Sequence, residues 1–146
     1  TYYMAAAAEV LMTKWRCKPP RAVLLIKRVY VLLNAACTEH LDINEIEQEL
    51  VEVDHYTVNL PALAALPETT DAHKPLRAVQ AYCTRQIAVC IALTLLDDMG
   101  WKPRSVDRFI RQLERYVPSY VDGGKDYGDI LERLKGRDLE LRLRTR

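Results

Sequence analysis

Apolar residues recur at helical spacing along most of the chain. Tyr2–Cys17 is Ala-rich, with Val10, Leu11 and Trp15 at intervals that suit a first helix. Pro19 and Pro20 are expected to stop it. In Arg21–Cys37, Val23, Leu24, Ile26, Val29, Tyr30, Leu32 and Leu33 cover much of a helical circumference, which predicts a second, mostly buried helix. Its β-branched content leaves a strand as the alternative. Asp42 followed by Glu45 has the form of a capping box. Ile43, Ile46, Leu50 and Val53 then mark one face of a third helix, with a strand over Leu50–Leu60 as the alternative. Pro61 and Pro67 bracket a small turn, and Glu68–Pro75 reads as a polar loop.

Leu76–Met99 carries the strongest helical signal. No charged residue interrupts Ile87–Leu96, and apolar positions there wrap the whole cylinder. Gly100 suits the position just past a helix end, and Pro103 the first turn of the next. That helix is expected to run to Val117, before Pro118. Ser119–Tyr127 reads as a loop, Asp126 or Asp129 as the cap of a last helix through Leu134, and residues 138–146 as helix or strand. The pattern predicts a mainly α protein. It would be a single compact helical domain over residues 1–146, with about five to six helices around a buried central helix 76–99.

Composition narrows the class. The 146 residues suit one domain, and a 49% hydrophobic content is too high for a disordered chain. The longest apolar runs are Ala22–Ala36, broken by Lys27 and Arg28, and Ile87–Leu96. Neither reaches the roughly 18–20 residues of a membrane span. Thr1–Ala8 lacks the basic and apolar regions of a secretory signal, so a soluble, cytoplasmic protein is expected. Cys17, Cys37, Cys83 and Cys90 form no Cys-x-x-Cys pair and are expected to be small buried hydrophobes, the last two on one helix face.

A formal net charge of +1 conceals a segregation. Residues 1–38 carry six basic groups and one acid, and residues 39–72 carry nine acids and no Lys or Arg. Residues 101–146 carry twelve basic and eight acidic groups. At about 100° per residue, Arg104, Arg108, Arg111 and Arg115 form a single ridge opposite the apolar face of helix 103–117, with Lys102 just before it. Such a ridge suits phosphates or an acidic protein face. Glu45, Glu49 and Glu52 supply an acidic face on the third helix, suited to a basic groove on a partner. Both faces also have a plain reading as solvated helix surface.

Candidate chemistry is sparse. Asp97 and Asp98 are adjacent, so on a helix they point about 100° apart and cannot both aim at one ion. They are expected to pair with Lys102 or Arg104. His40, His55 and His73 have no metal-ligand spacing, and His40 with Asp42 and Glu45 would chelate only weakly. Tyr116, Tyr120 and Tyr127 lie near Arg115 and Lys125, where they would pack a loop or stack on bases. No serine or cysteine has a recognisable nucleophile setting. No catalytic residue, metal or cofactor is expected.

The stretch from Ala92 to Trp101, leading into Arg104, Val106, Arg108 and Phe109, resembles small accessory proteins encoded by phages and prophages of Gram-positive bacteria. Their pattern is an apolar helix, an Asp and a Gly with flanking aromatics, a basic helix, a Gly-containing loop, and then Asp-Ile with a Leu-rich helix. Here Asp122–Gly128, Asp129, Ile130, Leu131 and Leu134 take the later places, so the likeness spans roughly residues 91–141. Asp97 stands where that pattern often has His, and Met99 replaces its Phe. The resemblance implies a non-catalytic mobile-element protein acting in the host bacterial cytoplasm. It would bind a host or phage protein, as an inhibitor of a nucleic-acid enzyme or defence system (anti-CRISPR-like). DNA or RNA binding through the arginine ridge and the tail Arg137–Arg146 is the alternative. Opposite-sign surfaces on one small chain also fit a homodimer.

Overall fold

Pro19 and Pro20 open a helix rather than close one. In the computed structural model, which describes residues 2–38, 40–60 and 74–121, the first helix α1 spans Tyr2–Thr13. The second, α2, spans Pro19–Cys37. Proline is suited to this place, because the first amides of a helix have no internal acceptor. What ends α1 is a left-handed residue, Arg16, at φ 53°. It turns the chain so that the Cys17 N–H reaches back to the Leu11 carbonyl at 2.9 Å.

Asp42 caps α3 (Ile43–Val53) through its carboxylate, which accepts from the Asn44 N–H at 2.9 Å. Ile43, Ile46 and Leu50 are buried as the periodicity requires. Val53, assigned to the same face, is instead 65% exposed, because the helix ends there and the chain turns at His55. No strand forms over residues 50–60. Residues 50–53 stay helical, and the extended segment after them buries Tyr56, Val58 and Leu60 while exposing His55, Thr57 and Asn59. The twofold alternation is present without a partner strand.

The fourth helix, α4, spans Lys74–Leu93, so Lys74 and Pro75 belong to it and not to a loop. It passes into a π-helical turn, Thr94–Asp98, in place of one regular helix to Met99. The buried Thr94 hydroxyl donates to the Cys90 carbonyl at 2.9 Å, and the Met99 N–H reaches the Thr94 carbonyl at 3.1 Å. Side-chain competition for a helical carbonyl of this kind bends helices. Among the described side chains of this stretch, from residue 81 on, burial falls in the later part. Ala88–Ala92 and Leu95 are buried, whereas Tyr82 and Cys83 are exposed. Gly100 follows at φ 69°, as its place in the sequence suggests.

The fifth helix, α5, spans Pro103–Val121 and continues through Pro118, where an end was expected. Val117 is buried, so the apolar face persists to the residue before the proline. Residues 119–121 are therefore helical and not loop. The other expectations for residues 61–73 and 122–146 lie outside the described residues. The chain is mainly α, with five α-helices and no strand among the described residues, and none of those helices is long and apolar enough to cross a membrane.

Two compact units are distinguished, one within Thr1–Val31 and Arg111–Arg146, the other within Leu32–Ile110. In the first, Ala5–Ala8, Val10 and Leu11 of α1 are buried together with Ala22, Leu25, Ile26 and Val29 of α2 and Leu113 and Val117 of α5. The Trp15 indole N–H donates to Gln112 Oε1 at 2.7 Å, and Lys14 Nζ lies 6.0 Å from the centre of the Tyr116 ring. In the second unit, the core takes Ile43, Ile46 and Leu50 of α3, Val89, Ile91 and Leu95, and Val106, Phe109 and Ile110 of α5. Trp101 meets Phe109 edge to face, with ring centres 5.8 Å apart.

Candidate functional site

The arginine ridge follows from the burial of the opposite side of α5. Val106, Phe109, Ile110, Leu113 and Val117 are buried, and they orient the helix so that Arg104, Arg108, Arg111 and Arg115 are all exposed. Lys102 is exposed as well. Its carbonyl accepts from the N–H groups of Ser105 at 3.0 Å and Val106 at 3.1 Å, so it occupies the capping position of α5. The first turn contains no acid. Lys102 and Arg104 therefore sit at the positive end of a helix dipole, an arrangement that favours an external anion.

On α3 the charges are reversed. Glu45, Glu49 and Glu52 are exposed, while Ile43, Ile46 and Leu50 are buried. Their spacing of four and then three residues puts them on one ridge, within about 60° of one another. The last turn of α3 contains no basic residue, so Glu52 lies toward the negative end of its own helix. Glu47, on another side of α3, pairs with Arg85 of α4. The sequence reading missed this pair, because 38 residues separate its members and no local spacing signals it.

Asp97 and Asp98 stand on the π turn. Partial burial pushes the Asp97 carboxyl above the usual carboxylate range, and the charges of Asp54, Glu49 and Asp98 add to it. The charges that act on Asp97 are acidic. Among the described residues, no three His, Cys, Asp or Glu side chains are placed to hold a metal ion. His40 Nδ1 lies 2.9 Å from the Thr38 hydroxyl, while the Asp42 carboxylate is engaged at the cap of α3. A cleft of about 300 Å³ is lined by Ala36, Leu41, Asp42, Ile43, Tyr82 and Gln86.

The cysteines depart from expectation. Only Cys90 is buried, Cys17 is half-buried, and Cys37 and Cys83 are exposed. Cys83 and Cys90 share a helical side by rotation, but α4 is covered at Cys90 and open at Cys83. Burial drives the Cys90 thiol pKa up to about 12, which makes it a poor nucleophile. Burial also raises Cys17, with Arg21 opposing the shift.

No family model, curated protein or solved structure matches this chain.

Proposed function

We propose that this chain is a non-catalytic binding protein of the phage or mobile-element accessory type. It docks on a host or phage protein, and the partner class that suits it is a nucleic-acid enzyme or a defence complex that it inhibits. The observation that carries this reading is the pairing of two exposed charged ridges of opposite sign, Glu45/Glu49/Glu52 on α3 and Arg104/Arg108/Arg111/Arg115 on α5. An exposed row of carboxylates at regular helical spacing offers a basic nucleic-acid groove the charge it ordinarily receives from phosphates. The likeness of residues 91–141 to phage accessory proteins supplies the context.

The second reading is direct nucleic-acid binding through α5, favoured by four exposed arginines in one row, the first of them at the positive end of the helix dipole. One set of measurements separates the two. Affinity capture from bacterial lysate uses wild type, a Glu45→Arg/Glu49→Arg/Glu52→Arg variant and an Arg104→Glu/Arg108→Glu/Arg111→Glu/Arg115→Glu variant. Fluorescence anisotropy measures the same proteins on labelled single- and double-stranded DNA across salt. The lead reading expects a stoichiometric protein partner lost with the acidic-ridge variant, and no DNA binding. Four phosphate contacts would instead give DNA affinity falling with log salt at a slope of about 3.6. Binding of that kind, abolished in the arginine variant and without a protein partner, replaces the lead reading by the second.

A further inference from the structure

The two ridges match each other in overall length as well as in sign, and antiparallel pairing offsets only the middle pair, by one residue step. Glu45, Glu49 and Glu52 cover seven residue steps of α3, and Arg104, Arg108 and Arg111 cover seven steps of α5. All six side chains are exposed. One end of each ridge also opposes its own helix, whereas Glu45 lies in the first turn of α3, where the dipole favours it. The acids run toward the C-terminal end of α3, which has no basic residue in its last turn. The arginines begin at the N-terminal end of α5, which has no acid in its first turn. Glu49 of this ridge acts, with Asp54 and Asp98, on the Asp97 carboxyl and helps to raise its pKa. Val53, 65% exposed, lies beside the acidic ridge and supplies apolar surface to an otherwise charged face.

We propose that the acidic ridge of α3 docks antiparallel on the arginine ridge of α5 in a second copy of this chain, Glu52 against Arg104, Glu49 against Arg108 and Glu45 against Arg111. Antiparallel docking brings the negative end of α3 to the positive end of α5, so charges and dipoles are satisfied together. The inference rests on reading the two ridges as binding surfaces, and it gives them a regulatory use: each contact withholds one copy's acidic ridge and the other copy's arginine ridge from an external partner. Solvated ion pairs contribute little each. The association is accordingly weak, with a dissociation constant of about 0.1–1 mM at low salt.

Sedimentation velocity from about 10 μM to about 1 mM, at about 50 and about 300 mM salt, tests it. Wild type is expected to associate at low salt and to weaken at least about tenfold at high salt. Glu45→Arg/Glu49→Arg/Glu52→Arg and Arg104→Glu/Arg108→Glu/Arg111→Glu are each expected to be monomeric. The first then carries two basic ridges and the second two acidic ones, so an equimolar mixture restores association. Circular dichroism checks the fold of each variant, and Gln replacements at the same positions serve if a reversal unfolds it. Wild type that stays monomeric at low salt and about 1 mM overturns the proposal. So does association that survives both reversals. Loss of self-association beside intact capture of an external partner sinks this inference alone and leaves the functional reading standing.

Discussion

Arg16 and His55 hold φ values of 53° and 54°, where an L side chain is disfavoured and glycine is at ease. Both perform the task that Gly100 performs at φ 69°. In each case the next N–H reaches a carbonyl six residues back, Cys17 to Leu11, Tyr56 to Leu50 and Trp101 to Leu95, and all three leucines are buried. Arg16→Gly and His55→Gly are each expected to raise unfolding stability by about 0.5–1 kcal/mol in urea titrations. Gly100→Ala is expected to lower it by about 1 kcal/mol, from backbone strain alone, since nothing lies within 4 Å of an added Cβ. Cys37 and Cys83 should react promptly with a thiol reagent under native conditions. Cys90, buried and with its pKa at about 12, should react only on unfolding. Asp97 gives a pH signature. Its folded pKa is raised, so it costs nothing below the ordinary 3.8 and destabilises as pH rises through its folded range. Asp97→Asn should therefore stabilise at pH 7 by no more than about 0.5 kcal/mol, with the gain vanishing in acid. A gain that persisted below that range would show a cause other than charge.

Each helix is defined by what covers it. On α5 the apolar and charged sides separate cleanly, so substitutions divide by side. Phe109→Ala, which removes a ring that is fully buried and in contact with Trp101, is expected to cost about 3–5 kcal/mol. Arg108→Ala should change stability by less than about 0.5 kcal/mol. On α4 the described side chains, from residue 81 on, divide along the helix axis. Ile91→Asp, in the fully buried part, should abolish cooperative unfolding, because an unpaired buried charge costs several kcal/mol. Tyr82→Asp, at an exposed position, should leave it intact. Equal tolerance at both positions would contradict the assigned burial. The π turn closes this element and places Asp97 and Asp98 in solvent, where an uninterrupted helix would have turned them by about 100° for the inserted residue.

At the scale of the molecule, charge is arranged by segment more than by total. The second unit contains the acidic ridge and the π-turn carboxylates, while the basic residues concentrate at the two ends of the sequence. Salt should act on such a chain at two levels. It screens the repulsion of Asp97 by Asp54, Glu49 and Asp98, which favours the folded state, and it weakens docking between opposite ridges. Rising salt is thus expected to raise the melting temperature modestly while reducing self-association, as read by calorimetry and sedimentation on one sample series. A parallel fall in both would mean that the acidic groups are already neutralised within the chain.

Much of the helical order was written in local sequence. Ile43, Ile46 and Leu50 share a face because a 3.6-residue repeat puts them there, and Asp42 caps that helix because its carboxylate reaches a nearby amide. The ridge of Arg104, Arg108, Arg111 and Arg115 follows from the same repeat. Tertiary structure decided what spacing cannot carry. The helix ends at Arg16 and His55 use left-handed backbone at non-glycine residues, closed by hydrogen bonds to the carbonyls of buried leucines. Cys83 and Cys90 share a helical side, yet only one is covered, since burial depends on neighbours distant in sequence. The period-two burial of Tyr56, Val58 and Leu60 found no strand to pair with, and Glu47 met Arg85 only after α3 and α4 had packed. Periodicity is a property of one segment, whereas burial, pairing and strain are properties of the segments that meet.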